Sequence, residues 1–284
     1  MSNIQESYLH CENLVKSHYE NFSIGSLLLP KDIKKHLYAI YSFCRNTDDI
    51  GDSFSNNKIE KLNNLESLKL ELYKCYNSNY SSTNPYMIAL QNTINEFSIP
   101  IEPFLKLIES NKIDQNKFRY KNFKELEHYC SNSANPVGHL VLKVFGYGDD
   151  LRKKLSDYTC TALQLTNFIQ DIQTDYNLGR IYIPNDDMKN FNCTEEDIAN
   201  ANMTSDFIRL IEFQTKRAYE LFQKGQNLFP LVTKKFRTDI KLFSLGGIKT
   251  LDKIKSQGYD VFNKPSRLTK LNKIEIIIKT IISK

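Results

Sequence analysis

The chain has 284 residues and a formal net charge of +5 at pH 7, from 38 Lys+Arg against 33 Asp+Glu. With 40% hydrophobic and 25% charged residues, 10 Gly and 8 Pro, its composition excludes disordered and fibrous classes and leaves ample chain for a core. So small a positive surplus gives no case for nucleic acid as a partner; the 17 Phe and 16 Tyr, with no Trp, exceed what a core strictly needs.

The N-terminus lacks the basic-then-apolar pattern of a secretory signal. After Pro30, apolar residues at Ile33, Leu37, Ile40, Tyr41 and Cys44 have the spacing of one helix face. Residues 58–76 form an amphipathic helix, 77–85 a loop, and Pro100 and Pro103 bracket a turn. Short helices are expected over 104–111 and 122–131, and another carries Leu140 to Phe145. Residues 149–177 read as one long helix free of Gly and Pro, which Gly179 stops. Arg180-Ile-Tyr-Ile-Pro184 is the only extended-looking piece, and helices over 206–228 and 233–257 follow. The pattern predicts a single all-α domain, residues 1–284.

Six scattered cysteines without a C-x-x-C pair point to buried thiols in a reducing cytoplasm. No apolar run reaches the roughly 18–20 residues of a membrane span. The stretch from Ile274 to Ile282 is expected to be a last helix packed on the core, with peripheral membrane contact as the alternative.

The acids carry the chemistry. At about 100° per residue, Leu37, Tyr41, Cys44, Asp48 and Asp52 fall within about 80° of one another. Asp48 and Asp52 therefore continue an apolar stripe, where an unpaired carboxylate is costly unless it is paired or binds a metal. Farther along, Cys160, Gln164, Asn167, Asp171 and Asp175 lie in an equally narrow sector beside the stripe Leu165, Ile169 and Ile172. Between Leu155 and Gly179 there is no Lys or Arg. One Asp-x-x-x-Asp pair is a common solvent-facing pattern; two, each beside an apolar stripe, would make a cage of hard oxygen ligands if they faced each other. Such a cage suits Mg²⁺, which takes one or two carboxylates and bridges to substrate phosphates. Arg45 and Arg180 would add counter-charge for a diphosphate. Phe22, Tyr41, Tyr129 and Phe168 lie near these segments, and ring faces can stabilise a carbocation by roughly 0.5–2 kcal/mol each.

Two long segments resemble the signatures of squalene/phytoene synthases. One runs from His18 through Phe22 to Pro30 and on from Ala39 to Asp52; the other is Gln164 to Pro184. With Gly258-Tyr-Asp-Val-Phe262, the resemblance covers about residues 14–270. It implies the all-α isoprenoid synthase fold, a helical bundle around a central cavity, with Asp48, Asp52, Asp171 and Asp175 as Mg²⁺ ligands. Asn167 and Gln164 would line the second metal site, Arg45 would meet diphosphate, and Phe22, Tyr129 and Tyr41 would line the cation pocket. His18 and Arg180 are further substrate-binding candidates. Where squalene and dehydrosqualene synthases commonly carry Lys-Ser, this chain has Glu20-Asn21. That feature, Ser133-Ala-Asn-Pro-Val-Gly-His139 and Gly246-Gly247 are similar to bacterial hydroxysqualene synthases of hopanoid biosynthesis. The resemblance implies hydrolysis of presqualene diphosphate to hydroxysqualene without NADPH, with a presqualene diphosphate synthase as partner. The alternatives are a squalene or phytoene-type synthase condensing two prenyl diphosphates, including farnesyl diphosphate, and a non-catalytic assembly factor of the same fold.

Overall fold

The computed structural model describes residues 3–17, 29, 31–53, 57–77, 82–264, 266, 268–269, 272 and 275–276. Among them the regular structure is helical, and the only bridge is the isolated parallel pair Arg119 and Ile181. Contacts group the chain into two compact units, one of Met1–Asn116 with Pro136–Lys153 and the other of Lys117–Asn135 with Lys154–Lys284.

In the first unit, α1 (Asn3–Ser17), α2 (Lys31–Asp52), α3 (Lys58–Cys75), α4 (Pro85–Phe97) and α5 (Glu102–Ile113) pack together. α2 touches each of the other four. Leu37, Ala39, Ile40 and Phe43 from α2 sit in one core with Leu65 and Leu72, Met87 and Leu90, and Phe104. α1 and α4 were not legible as separate helices. α1 buries Tyr8, Cys11 and Val15 at near-helical spacing. α4 starts with Pro85 in its first turn, where the missing N–H costs nothing. Asn57 closes the start of α3 in a reciprocal capping box with Glu60. α7 (Asn135–Val144) and the first turn of α8 (Asp150–Gln170) complete the unit.

In the second unit, α6 (Phe123–Ser133) is followed, after α7, by the rest of α8. The expected unbroken helix over 149–177 is instead two. α8 ends at Gln170 and α9 (Ile172–Asn177) resumes after Asp171, whose φ of −108° and ψ of 17° depart from helical values. Two short helices, α10 (Asn185–Asn190) and α11 (Glu195–Ala199), were not anticipated, being too short to show a period. α12 (Ser205–Gly225) runs into a 3₁₀ turn over Gln226–Leu231 and then α13 (Lys234–Ser256). Close packing fits glycine at Gly247, where a Cβ would stand 2.3 Å from the Phe222 ring.

All six cysteines are free thiols; four are buried and two half-buried. No helix among the described residues is long and apolar enough to cross a membrane. The predicted C-terminal helix, apart from residues 275 and 276, lies outside the described residues, as do His18, Glu20, Asn21 and Phe22.

Candidate functional site

The last turns of α2 show how the sequence places its acids. The stripe Leu37, Tyr41, Cys44, Asp48 and Asp52 keeps its alignment, but it climbs out of the core. Leu37 and Tyr41 are buried, Cys44 is half-buried, and Asp48 and Asp52 are exposed. The expectation of inward-facing, desolvated carboxylates is thus corrected. The buried line of these turns is Phe43, Thr47 and Gly51, offset by one residue. Gly51 explains the offset: a Cβ there would stand 2.2 Å from Asn111 Oδ1, so only glycine lets α5 approach this closely.

That approach organises the pair. Asn111 Nδ2 donates to Asp48 Oδ1 at 3.0 Å and to the Leu107 carbonyl at 3.2 Å. Gln115 Nε2 donates to the Gly51 carbonyl at 3.1 Å. Asn111 and Gln115 are both buried, so the last turn of α5 and the residue just past its end clasp the end of α2 with two amides while the carboxylates stay hydrated. Sequence reasoning missed both amides; the available signal was an Asn in the last turn of α5 and a Gln four residues later, just past its end. Arg45 is half-buried and donates to Asp49 Oδ1 at 2.5 Å, one turn along. Tyr41 belongs to the buried core of this unit.

In the second unit, Leu165, Ile169 and Ile172 are buried, as the stripe predicts. Beside them Asn167 and Asp171 are exposed, and Gln164 and Asp175 half-buried, so here too the acids meet solvent. The break at Asp171 does not disturb the spacing. The Asp171 N–H donates to the Asn167 carbonyl at 2.9 Å and the Asp175 N–H to the Asp171 carbonyl at 2.8 Å, holding the three residues in successive turns. The end of α9 is a Schellman turn around Gly179, with φ of +80°. The Gly179 N–H donates to the Tyr176 carbonyl, and the Arg180 N–H to the Asp175 carbonyl, both at 2.8 Å.

Beyond that turn the extended piece pairs with residues 118–121. The Ile181 N–H donates to the Phe118 carbonyl at 3.0 Å, and the Asn185 N–H to the Tyr120 carbonyl at 2.9 Å. Arg119 secures the junction. It donates to the Gly179 carbonyl at 2.6 Å and grips Glu195 through two hydrogen bonds, holding the Glu195 carboxyl below its usual range. This pairing assembles an aromatic cluster. Tyr182 stacks on Phe168 with centroids 3.9 Å apart and lies 5.4 Å from Tyr129 and 5.7 Å from Tyr120. All four rings are buried. Tyr129 was anticipated as a cation-pocket residue and Phe168 as a neighbour; Tyr120 and Tyr182 were not, because only long-range pairing brings them together.

Each pair supplies two hydrated carboxylates, a donor set that fits an ion taking few protein oxygens and keeping waters and phosphate oxygens. Among the described residues, no group of three or more His, Cys, Asp and Glu side chains converges as a closed metal site.

A squalene/phytoene synthase family model matches residues 15–274. The chain belongs to the squalene/phytoene synthase family. Members of this family are enzymes of isoprenoid biosynthesis that act on prenyl diphosphates. The crystal structure of squalene synthase HpnC from Alicyclobacillus acidocaldarius superposes with a TM-score of 0.84 at 42% identity, covering 91% of this chain and 97% of that one. A dehydrosqualene synthase, at 24% identity, shares the fold with a TM-score of 0.90 over 99% of this chain and 97% of its own. Phytoene synthase of Arthrospira platensis is 31% identical over 277 residues, covering 91% of this chain and 87% of its own. Of the chloroplastic phytoene synthase from Narcissus pseudonarcissus, 27% identical over 282 residues, the match takes 95% of this chain but spans only 65% of the relative. The all-α isoprenoid synthase fold expected for the squalene/phytoene synthase family is therefore the fold of this chain.

Proposed function

We propose that the chain converts presqualene diphosphate and water to hydroxysqualene and diphosphate, in a Mg²⁺-dependent reaction of hopanoid biosynthesis. The observation that carries the reading is the presence of two Asp-x-x-x-Asp pairs in a chain 42% identical to HpnC. Glu20-Asn21, in place of the Lys-Ser common in squalene synthases, supports a reaction that does not begin with two farnesyl diphosphates.

Asp48 and Asp52 would hold metal on one helix, and Asp171 and Asp175 on another, with Asn167 and Gln164 beside the second pair. Bound Mg²⁺ would neutralise charge on the departing diphosphate. Arg45 and Arg180 would orient the same group, and His18 would contact the substrate. The carbon–oxygen bond to diphosphate breaks with both electrons leaving on the diphosphate, and the cyclopropylcarbinyl cation rearranges. A water oxygen then forms the new carbon–oxygen bond and releases its proton. Tyr129, Phe22 and Tyr41 would present ring faces to the cation and keep bulk water from it.

The test is incubation of purified protein with presqualene diphosphate and Mg²⁺ without nicotinamide, followed by mass spectrometry. Hydroxysqualene is the expected product; no alcohol would refute the reading. A second reading, condensation of two prenyl diphosphates, is favoured by the 31% identity to a phytoene synthase. It would give a hydrocarbon product from prenyl diphosphate with no partner synthase, a phytoene-type product without a reductant and squalene only with NADPH as hydride donor.

A further inference from the structure

Within the first unit lies a cavity of about 340 Å³ whose lining includes none of the four motif aspartates. Its volume falls in the range of small-molecule sites, about 300–1,000 Å³. It forms where the start of α5 meets the end of α7 and the turn leading into α8. Its apolar floor includes Pro103 and Leu140, and its walls carry Lys106, Lys143 and Lys153, with His139 and the ring of Tyr147. Glu102 is the sole carboxylate of the lining.

The turn between α7 and α8 shapes one side of the cavity. Gly146, with φ of +84°, turns the chain after α7. Arg152 then lies over the Tyr147 ring at 4.8 Å while donating to Asp149 at 2.7 Å, which fixes the rim. Lys143 folds back over the turn, its ammonium 3.9 Å from where a Cβ on Gly148 would sit. Lys153 is only loosely paired, at 3.7 Å from the fully exposed Asp150. Among the described residues Lys106 and Lys143 make no ion pair, although Glu102 stands one turn before Lys106 on the same helix.

We propose that this cleft is an anion site that recognises a phosphate group, separate from the aspartate motifs and independent of the proposed reaction. Three ammonium groups around one concavity with a single carboxylate repel one another, and a bound anion relieves that repulsion. A cleft lined by one sign of charge also focuses its field on the opposite charge. Lysine ammoniums present three donors each to the oxygens of a phosphate, whose roughly twofold negative charge matches several cations better than a carboxylate does. The apolar floor accepts the uncharged body that carries the phosphate. Free phosphates and lipid headgroups share this chemistry.

The full chain is titrated calorimetrically with inorganic diphosphate in a chelator, and floated with phosphatidylcholine vesicles with and without phosphatidic acid. Lys106→Gln/Lys143→Gln keeps the aliphatic stems and removes two charges; Lys106→Arg/Lys143→Arg keeps the charges. At least one probe binds the wild-type chain, and the Gln variant binds it about tenfold more weakly through loss of charge-assisted hydrogen bonds. The Arg variant and an Asp48→Asn/Asp52→Asn variant retain that binding. Loss confined to diphosphate identifies a soluble phosphate, and loss confined to phosphatidic acid vesicles identifies a headgroup. The proposal is overturned if neither probe binds the wild-type chain, if the Gln variant binds like wild type, or if Asp48→Asn/Asp52→Asn abolishes the binding. Circular dichroism confirms that each variant is folded.

Discussion

Asn111 donates from Nδ2 to Asp48 Oδ1 at 3.0 Å across 63 positions of sequence, and it can do so because Gly51 has no side chain. A buried amide thereby aims one oxygen of an exposed carboxylate. Groups that orient a metal-binding side chain commonly contribute about 10–100-fold to metal affinity or activity. Asn111→Ala is expected to lower turnover about tenfold and raise the Mg²⁺ concentration for half-maximal rate. Gly51→Ala, which displaces the same amide, should shift the Mg²⁺ dependence in the same direction. An unchanged Mg²⁺ dependence in both variants would leave Asn111 a purely structural residue.

Asp171 is exposed, so its replacement costs little stability. Asp171→Asn should lower diphosphate release by about a hundredfold or more, since metal ions at a leaving group supply several kcal/mol. The thermal midpoint should stay near wild type. Normal release, followed with a coupled diphosphate assay, would exclude the metal-binding role.

Gly179 holds φ of +80°, and a Cβ added there meets nothing within 4 Å. The cost of Gly179→Ala is therefore backbone strain alone, about 1–2 kcal/mol. Gly179→Asn should cost less, because Asn tolerates the left-handed region. Urea denaturation of the two variants checks the order.

Asp239, on α13, is buried and its Oδ2 has no hydrogen-bond partner among the described residues. Burial pushes its carboxyl from 3.8 up to about 7, against the opposing charge of Lys235 one turn away. A carboxyl whose pKa rises on folding holds its proton in the folded state where the unfolded chain has lost it. Its contribution is fully present below the unfolded value and is lost as pH rises through about 7. Wild-type protein should lose stability, on the order of a few kcal/mol, between pH 4 and pH 7 from this group. Asp239→Asn should flatten that slope in denaturation curves taken across the same range.

The local parts of the site were legible because helix geometry is local. Residues four apart share a face, so Asp48 with Asp52, and Asn167 with Asp171 and Asp175, could be aligned from spacing alone. A glycine after the last periodic residue marked the turn at Gly179, and Arg180-Ile-Tyr-Ile-Pro184 read correctly as extended. The family, too, was readable from the two long motif segments.

What each face meets was decided by tertiary structure. Spacing placed Asp48 and Asp52 in line with Leu37 and Tyr41, yet the buried line of those turns runs through Thr47 and Gly51, because α5 packs against the one position without a side chain. Tyr182 and Tyr120 are 62 positions apart, and they stack because residues 118–121 pair with the extended segment. A period of 3.6 residues assigns every side chain a direction; only the neighbour that arrives from elsewhere in the chain determines whether that direction leads to core, ring or water.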